Sequence, residues 1–492
     1  MKSMKNKIQK MVLLVIFAIS CWGFFQVCRA QADSYHFSKG DGSAANPYRI
    51  TNCEELWGAG SHLDSHFKLM NDVDCATDTH SGGSLWDGGH GFAPIGSGDV
   101  DPFAGTFNGN GHKILNLFIN RSDQDYVGLF SGSSGTISDV RLIGADITGK
   151  NYVGGLVGYL ADGSVSRCFV DAKITGSNNY LGGFVGLVKG GAMISDSYAT
   201  GNVTGNSANS WRVGGFVGEN DGDIFTSYAT GNASGKTMIG GFVGVNGSSA
   251  ESIYSSFSVG TVTATGTGNK GGFIGYNDGD FYNSGRLVQS GVNAAGHSGV
   301  GGMGTSSYEE TDPAVFFDKT HGVYTAGSDD DTWNFDAVWQ EHSNSYPTLR
   351  DFSSDDPADD DNSSNNNNAN SFKDEPSRAK ILSWNAFQYN DESRCGSKLV
   401  LTIKGKHFTT DAEVRIGGRS AYFVHRNSDK KITAKFCLIK VRDNLVDHRR
   451  IIDVRNPHTK PSKANKQIDL KNISFRKKIE PTRAFMESKK LS

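Results

Sequence analysis

Two stretches of this 492-residue chain set a pair of carboxylates directly after an asparagine: Asn220-Asp-Gly-Asp223 and Asn277-Asp-Gly-Asp280. Asp162-Gly163 stands at the matching place of an earlier repeat. Paired carboxylates could serve as acid and base on a glycosidic bond, or hold calcium against an anionic sugar. Bound calcium would make Asp221, Asp223, Asp278 and Asp280 a row down one edge of a repeating structure. The plainer chemistry of Asp-Gly is a tight turn, where the side chain hydrogen-bonds back to the backbone and left-handed φ is tolerated. That reading is favoured, and calcium is kept as a weak candidate. His62 and His66 lie four apart in a segment, 54–67, that reads as helical, so both could face one side. A metal there would need a third ligand that the sequence does not supply. The chain has no His-Glu-x-x-His, no Gly-x-Ser-x-Gly and no P-loop, and Asn108-Gly-Asn-Gly111 lacks the lysine of a phosphate cradle. The sequence therefore assigns no catalytic residue and no cofactor, and a binding or structural role is favoured over an enzyme.

The elements that would position any such residue are written in a repeat. Val127-Gly-Leu-Phe, Val153-Gly-Gly-Leu-Val-Gly, Leu181-Gly-Gly-Phe-Val-Gly, Val213-Gly-Gly-Phe-Val-Gly, Ile239-Gly-Gly-Phe-Val-Gly, Lys270-Gly-Gly-Phe-Ile-Gly and Val300-Gly-Gly-Met-Gly recur at steps of 27, 28, 32, 26, 31 and 30 residues. Such a period marks stacked units that bury their apolar faces only against neighbours. Each phrase leads into a second one, as in Ile194-Ser-Asp-Ser-Tyr-Ala-Thr-Gly and Ile224-Phe-Thr-Ser-Tyr-Ala-Thr-Gly. Short β-branched and aromatic runs punctuated by Gly and Asn predict strands with tight turns, whereas helices there would lose about 1 kcal/mol per glycine. Leu156, Phe184, Phe216, Phe242 and Phe273 should stack as an interior ladder. The paired glycines should either admit close backbone approach or take positive φ at a corner. Tyr198, Tyr228, Tyr254 and Tyr282 also recur. Pointing outward they would suit stacking on sugars; their polar neighbours favour an inward, core position.

The ends and the charge divide the chain further. Lys2, Lys5, Lys7 and Lys10 precede an apolar run ending near Phe25, and Ala30-Gln31-Ala32 has the form of a signal-peptidase site, so residues 1–32 read as a secretory leader. Lipoprotein processing at Cys21 is the minor alternative. No later run is long enough to span a membrane. Residues 33–370 carry 16 Lys+Arg against 39 Asp+Glu, net −23, and residues 371–492 carry 28 against 13, net +15. An acidic body is thus tied to a basic one, which suits docking of the basic half on anionic surfaces or on the acidic half. The junction, 355–378, is Asp- and Asn-rich and reads as a disordered linker. An exported chain can oxidise its thiols. Cys53 with Cys75 and Cys395 with Cys437 are the candidate disulfides, each within one structural unit, and Cys168 is left over.

Together these phrases resemble bacterial exported proteins built from GLUG motifs. Asp41-Gly-Ser-Ala-Ala-Asn-Pro-Tyr-Arg-Ile50, Phe103-Ala-Gly-Thr-Phe-Asn-Gly-Asn-Gly-His-Lys-Ile114 and the closing Trp333-Asn-Phe and Tyr346-Pro-Thr-Leu349 extend the resemblance over 37–352. It implies an all-β protein, a right-handed parallel β-helix (β-solenoid), with leader or cap 33–125, repeats 126–305 and closing segment 306–354. It also implies adhesin-like surface roles and transfers no catalytic residue. After the linker, Gly405, Phe408, Val414, Gly417 and Asn456-Pro457 are similar to an IPT/TIG immunoglobulin-like β-sandwich over 379–470, followed by a basic tail, 471–492. That resemblance would place Cys395 and Cys437 on adjacent strands. The expectation is a non-catalytic secreted or cell-surface binding protein whose partner is a glycan, a matrix or a surface protein. No nucleic acid is expected. The alternatives are a β-helical polysaccharide lyase or hydrolase and a structural spacer.

Overall fold

The computed structural model describes residues 35–247, 252–288, 307–325, 333–335 and 338–350, together with the backbone of strands at 293–295 and between 380 and 475. The expected leader 1–32 with Cys21, the last glycine phrase at 300–304, the linker 355–378 and Cys395 lie outside the described residues.

The repeat builds a β-solenoid. In the first sheet, nine strands stack in parallel and in register, from Tyr48–Ile50 through Thr136–Ser138, Ser164–Ser166, Met193–Ser195, Asp223–Phe225 and Ser252–Tyr254 to Asp280–Tyr282. A second sheet carries the glycine phrases, among them Val157–Leu160, Val185–Val188, Val217–Asn220, Val243–Asn246 and Lys270–Asn277. A third holds the second phrases, such as Phe169–Gly176 with Val203–Gly205. Alternation along each strand sends one residue in and the next out, so Ile137, Val165, Ile194, Ile224, Ile253 and Phe281 form one buried interior file. The Phe184–Phe216–Phe242–Phe273 ladder is the other, with ring centroids 4.6, 4.8 and 5.0 Å apart. Each ring sealed from water contributes about 1.5–3 kcal/mol.

Close approach explains the glycines, and left-handed backbone does not. A Cβ on Gly182 would lie 2.0 Å from the Val185 carbonyl oxygen, and one on Gly186 would lie 2.5 Å from that of Gly158 in the preceding coil. The positive φ falls instead on the residue before each of the first five phrases: Tyr126 (62°), Tyr152 (53°), Tyr180 (66°), Arg212 (58°) and Met238 (57°). A second corner does the same with Asp139, Arg167, Asp196, Thr226, Ser255 and Asn283.

Polar ladders satisfy the buried corners. The backbone N–H groups of Cys168, Ser197, Ser227 and Ser256 donate in turn to the hydroxyls of Ser197, Ser227, Ser256 and Ser284. Each serine hydroxyl donates to the carbonyl two residues back, and the Cys168 thiol does likewise to Ser166, at 3.2 Å. The leftover cysteine is therefore the first member of a serine ladder. Burial pushes its thiol up to about 12.

Both ends of the solenoid depart from the repeat. At the start, the helix Cys53–Gly58 is capped by Asn52, whose side chain accepts from the Glu55 N–H, and Cys53 is bonded to Cys75. A short 3₁₀ turn, Ala59–Ser61, ends that helix, so His62 and His66 do not share a helical face as the spacing predicted. His62 packs against Phe37 and Tyr48, and His66 opens the strand His66–Leu69. On the strand Ser284–Leu287, Arg286 takes the interior place held by Ala199, Ala229 and Ser258 in earlier coils, is 4% exposed, and reaches Glu309 at 3.1 Å.

The closing segment turns back along the third sheet and corrects the expectation for the tyrosines. Phe169, Tyr198, Tyr228 and Phe257 stack on the outer side of that sheet, 4.3, 4.7 and 4.9 Å between successive centroids. Tyr198 and Tyr228 are buried, as expected, but under Trp333, Trp339 and Tyr346 and outside the solenoid's own core. Phe316 continues the file at 4.7 Å over Gly285, which has no side chain to exclude it. Hydrogen bonds fix this clasp: Tyr228 donates to Pro347, Trp333 to Ser255 and Arg141 to Arg350. Tyr254 and Tyr282 face outward on the first sheet, half-buried and stacked with Phe225.

Further along the chain, Lys380–Asn390, Ser397–Lys406, Lys431–Cys437 and Phe423–Ser428 pair antiparallel, and Glu413–Ile416 pairs with Ile452–Arg455 in a separate sheet. Cys437 ends its strand opposite Lys398.

Candidate functional site

The carboxylate pairs are occupied by the fold. Asp221 lies 3.4 Å from Lys189, and Asp223 accepts the Ser252 N–H at 3.1 Å. Asp280 accepts from the Tyr282 hydroxyl at 3.2 Å, and Asp278 lies against the Tyr276 phenol, raising its pKa. Asp162 caps its own turn through the Gly163 N–H, with Gly163 at φ 78°. Asn220, Asn246 and Asn277 link coil to coil through their side-chain amides, at 3.1 and 2.9 Å, with Asn220 also closing the turn at Gly222. Among the described residues no cluster of three or more His, Cys, Asp or Glu could hold a metal.

A different row of side chains stands out, at the corner leading into the second sheet. Tyr126, Tyr152 and Tyr180 occupy one position in three successive coils, each directly before Val-Gly or Leu-Gly. Their rings stack 4.7 and 4.4 Å apart at 11° and 10°. Tyr159 meets Tyr126 and Tyr152 edge-on from the neighbouring strand. In the next coil Arg212 takes the tyrosine's place, its guanidinium 4.9 Å from the centre of the Tyr180 ring, which is cation–π range. Glu219, in the register of Tyr159, is ion-paired to that arginine. Burial holds the Glu219 carboxyl above the usual range, partly offset by Arg212. Burial likewise raises the Tyr126 and Tyr152 phenols, whose hydroxyls are hydrogen-bonded to Asp99 and to Tyr180 respectively.

A second file runs beside the first. Asn151 donates to Asp125 at 2.8 Å, the Asn151 side chain accepts from the Asn179 N–H, and that of Asn179 accepts from the Trp211 N–H. Of the large apolar side chains described, Val100, Trp211 and Val288 are exposed, and Trp211, at 40%, is the aromatic one. The strip thus joins phenol hydroxyls, amides and one solvent-facing indole along several coils, a mixture suited to polar ligands with apolar faces. Bulky residues in left-handed backbone, as Tyr126, Tyr152 and Tyr180 are, concentrate where structure holds a side chain in a set direction. Sequence reasoning singled out other tyrosines and passed over these; a tyrosine at fixed offset from three successive glycine phrases was the available signal.

By its coordinates the chain is an all-β protein built on a parallel β-solenoid. The GLUG motif matches residues 149–175 and 177–204, two adjacent coils that carry Tyr152, Tyr180 and their amide neighbours. Halomucin of Haloquadratum walsbyi is 36% identical over 146 residues, which cover 28% of this chain and 2% of halomucin. A protein of Evansella cellulosilytica, provisionally described as a Gly-rich membrane protein, is 36% identical over 141 residues, 28% of this chain and 15% of that one. The chain therefore spans a small fraction of either curated relative. A crystal structure from Bacteroides ovatus, provisionally described as an immunoglobulin A1 protease, superposes with a TM-score of 0.49 at 20% identity, covering 64% of this chain and 95% of that one. No helix among the described residues is long and apolar enough to cross a membrane.

Proposed function

We propose that this is an exported, non-catalytic binding protein of the cell surface, adhesin-like, in which the solenoid displays a glycan-contacting strip. The observation that carries the reading is Trp211, an indole left 40% in water beside hydrogen-bonding tyrosine and asparagine files. Trp211 sets an apolar face beside a row of polar groups, the pairing of surfaces that a sugar presents. Export is supported by the charge, apolar and small-residue order of the leader, and a surface setting by the relatives' names. The basic domain at 379–470, read as immunoglobulin-like from its resemblance to IPT/TIG domains, would supply an anchoring or second contact to an anionic surface. The carboxylate-based lyase or hydrolase reading is less favoured, because Asp221, Asp223 and Asp280 already hold fold contacts. The test is retention of the full chain on a panel of immobilised polysaccharides, beside Trp211→Ala. Retention weakened by the substitution is expected; equal retention of both proteins would overturn the strip as the point of contact, and no retention on any polysaccharide would overturn the glycan-binding reading itself.

A further inference from the structure

Resting on that reading, we infer that the strip binds an uncharged, linear β-linked polysaccharide lying along the solenoid axis, one sugar per coil. The stacking of the tyrosines sets the terms. With centroids 4.7 and 4.4 Å apart, Tyr126, Tyr152 and Tyr180 spend their ring faces on one another. The two outer faces are covered as well, by Arg212 at one end and by the loop at Gly98 at the other, where a Cβ would meet the Tyr126 ring at 2.5 Å. A sugar cannot stack on these rings. What they offer is a line of ring edges and protonated hydroxyls repeated once per coil. The file beside them repeats with the same period, Asp125, Asn151 and Asn179, and at the next coil the polar residue gives way to Trp211. The strip therefore has three hydrogen-bonding positions followed by one apolar platform.

Spacing and charge select the ligand class. Coils repeat at about 4.8 Å, close to the length one sugar adds to an extended β-linked chain, so one sugar meets each coil, with successive sugars turning alternate hydroxyl-bearing edges toward the strip. Sugars present hydroxyls along their edges and C–H groups on their faces, which matches edges first and an indole last. The body that carries the strip has a net charge of −23 over residues 33–370, and Arg212 is already paired with Glu219, so a polyanionic glycan is repelled.

The experiment titrates the full chain with cello-oligosaccharides from disaccharide to hexasaccharide, and with a polygalacturonate oligomer of matching length, by calorimetry. Affinity should climb with each sugar to the tetrasaccharide and then level off. Trp211→Ala should lose the gain of the last sugar. Tyr152→Phe, which keeps the stack and removes one hydroxyl, should weaken the longer ligands by about threefold to tenfold. Binding without length dependence, or unchanged by both substitutions, would overturn the strip while leaving a glycan-binding protein. Tighter binding of the polygalacturonate would overturn the uncharged class. No binding of these or of any polysaccharide on the panel would remove the proposed function along with it.

Discussion

Gly214→Ala tests the packing that makes the solenoid. The added Cβ would lie 2.0 Å from the Val217 carbonyl oxygen, 2.7 Å from that of Phe242 and 2.8 Å from the Gly244 nitrogen. All three are backbone atoms, so no side chain can swing aside. Gly214 has no positive φ, so the conformational term is small and the whole effect is steric. Relief requires the coil to part from its neighbour, where the N–H groups of Gly215, Phe216 and Val217 donate to Gly240 and twice to Phe242. Overpacking costs about 1–3 kcal/mol, and two weakened hydrogen bonds add about 0.5–1.5 kcal/mol each. The expected loss is about 3–5 kcal/mol. Trp333 and Trp339 are buried against the third sheet, so their fluorescence follows solenoid unfolding in urea. Gly60→Ala is the control: a Cβ there meets nothing within 4 Å, and the change should be neutral or stabilise by up to about 1 kcal/mol. A Gly214→Ala midpoint within about 0.5 kcal/mol of the parent, or equal effects at the two sites, would refute the close-approach account.

Reducing the Cys53–Cys75 bond, which closes 22 residues at the capped end, should destabilise the solenoid by about 3 kcal/mol, read from urea midpoints with and without dithiothreitol. Cys168→Ser should change stability by less than about 1 kcal/mol, because a hydroxyl repeats the ladder bond made by Ser197; the native thiol, buried and pushed up to about 12, should resist alkylation until the chain unfolds. The Glu219 carboxyl is raised by burial, so the stability linked to its protonated form is full below the unfolded carboxylate range and is lost as pH rises through the raised value. Glu219→Gln should remove that component, measured as a flatter dependence of the urea midpoint as pH rises from the unfolded carboxylate range.

The interior was legible because its signal is local and periodic. Phe184, Phe216, Phe242 and Phe273 share one type at one offset, and the structure stacks them. The glycines beside them were legible as necessary but not as to why, since close approach and positive φ both call for glycine. The left-handed residues before the glycine phrases are tyrosine, arginine and methionine, which no propensity marks. Tyr198 and Tyr228 show the deeper limit. Their alternation with polar residues is real, yet what buries them is Trp333, Trp339 and Tyr346, more than a hundred residues along the chain. His62 and His66 were misplaced because the helix stops at Gly58 and a 3₁₀ turn follows. The tyrosine strip carried a readable offset, but a periodic tyrosine reads as core until the structure shows which side it occupies.

The central claim is binding without catalysis at the strip. The most direct measurement incubates the purified chain and its Trp211→Ala variant with soluble neutral and acidic polysaccharides, with and without calcium, following retention and glycan chain length in the same samples. The account predicts calcium-independent retention of a neutral polysaccharide at unchanged length, weakened by the substitution. Shortened glycan chains would contradict it, as would retention that needs calcium or ignores Trp211.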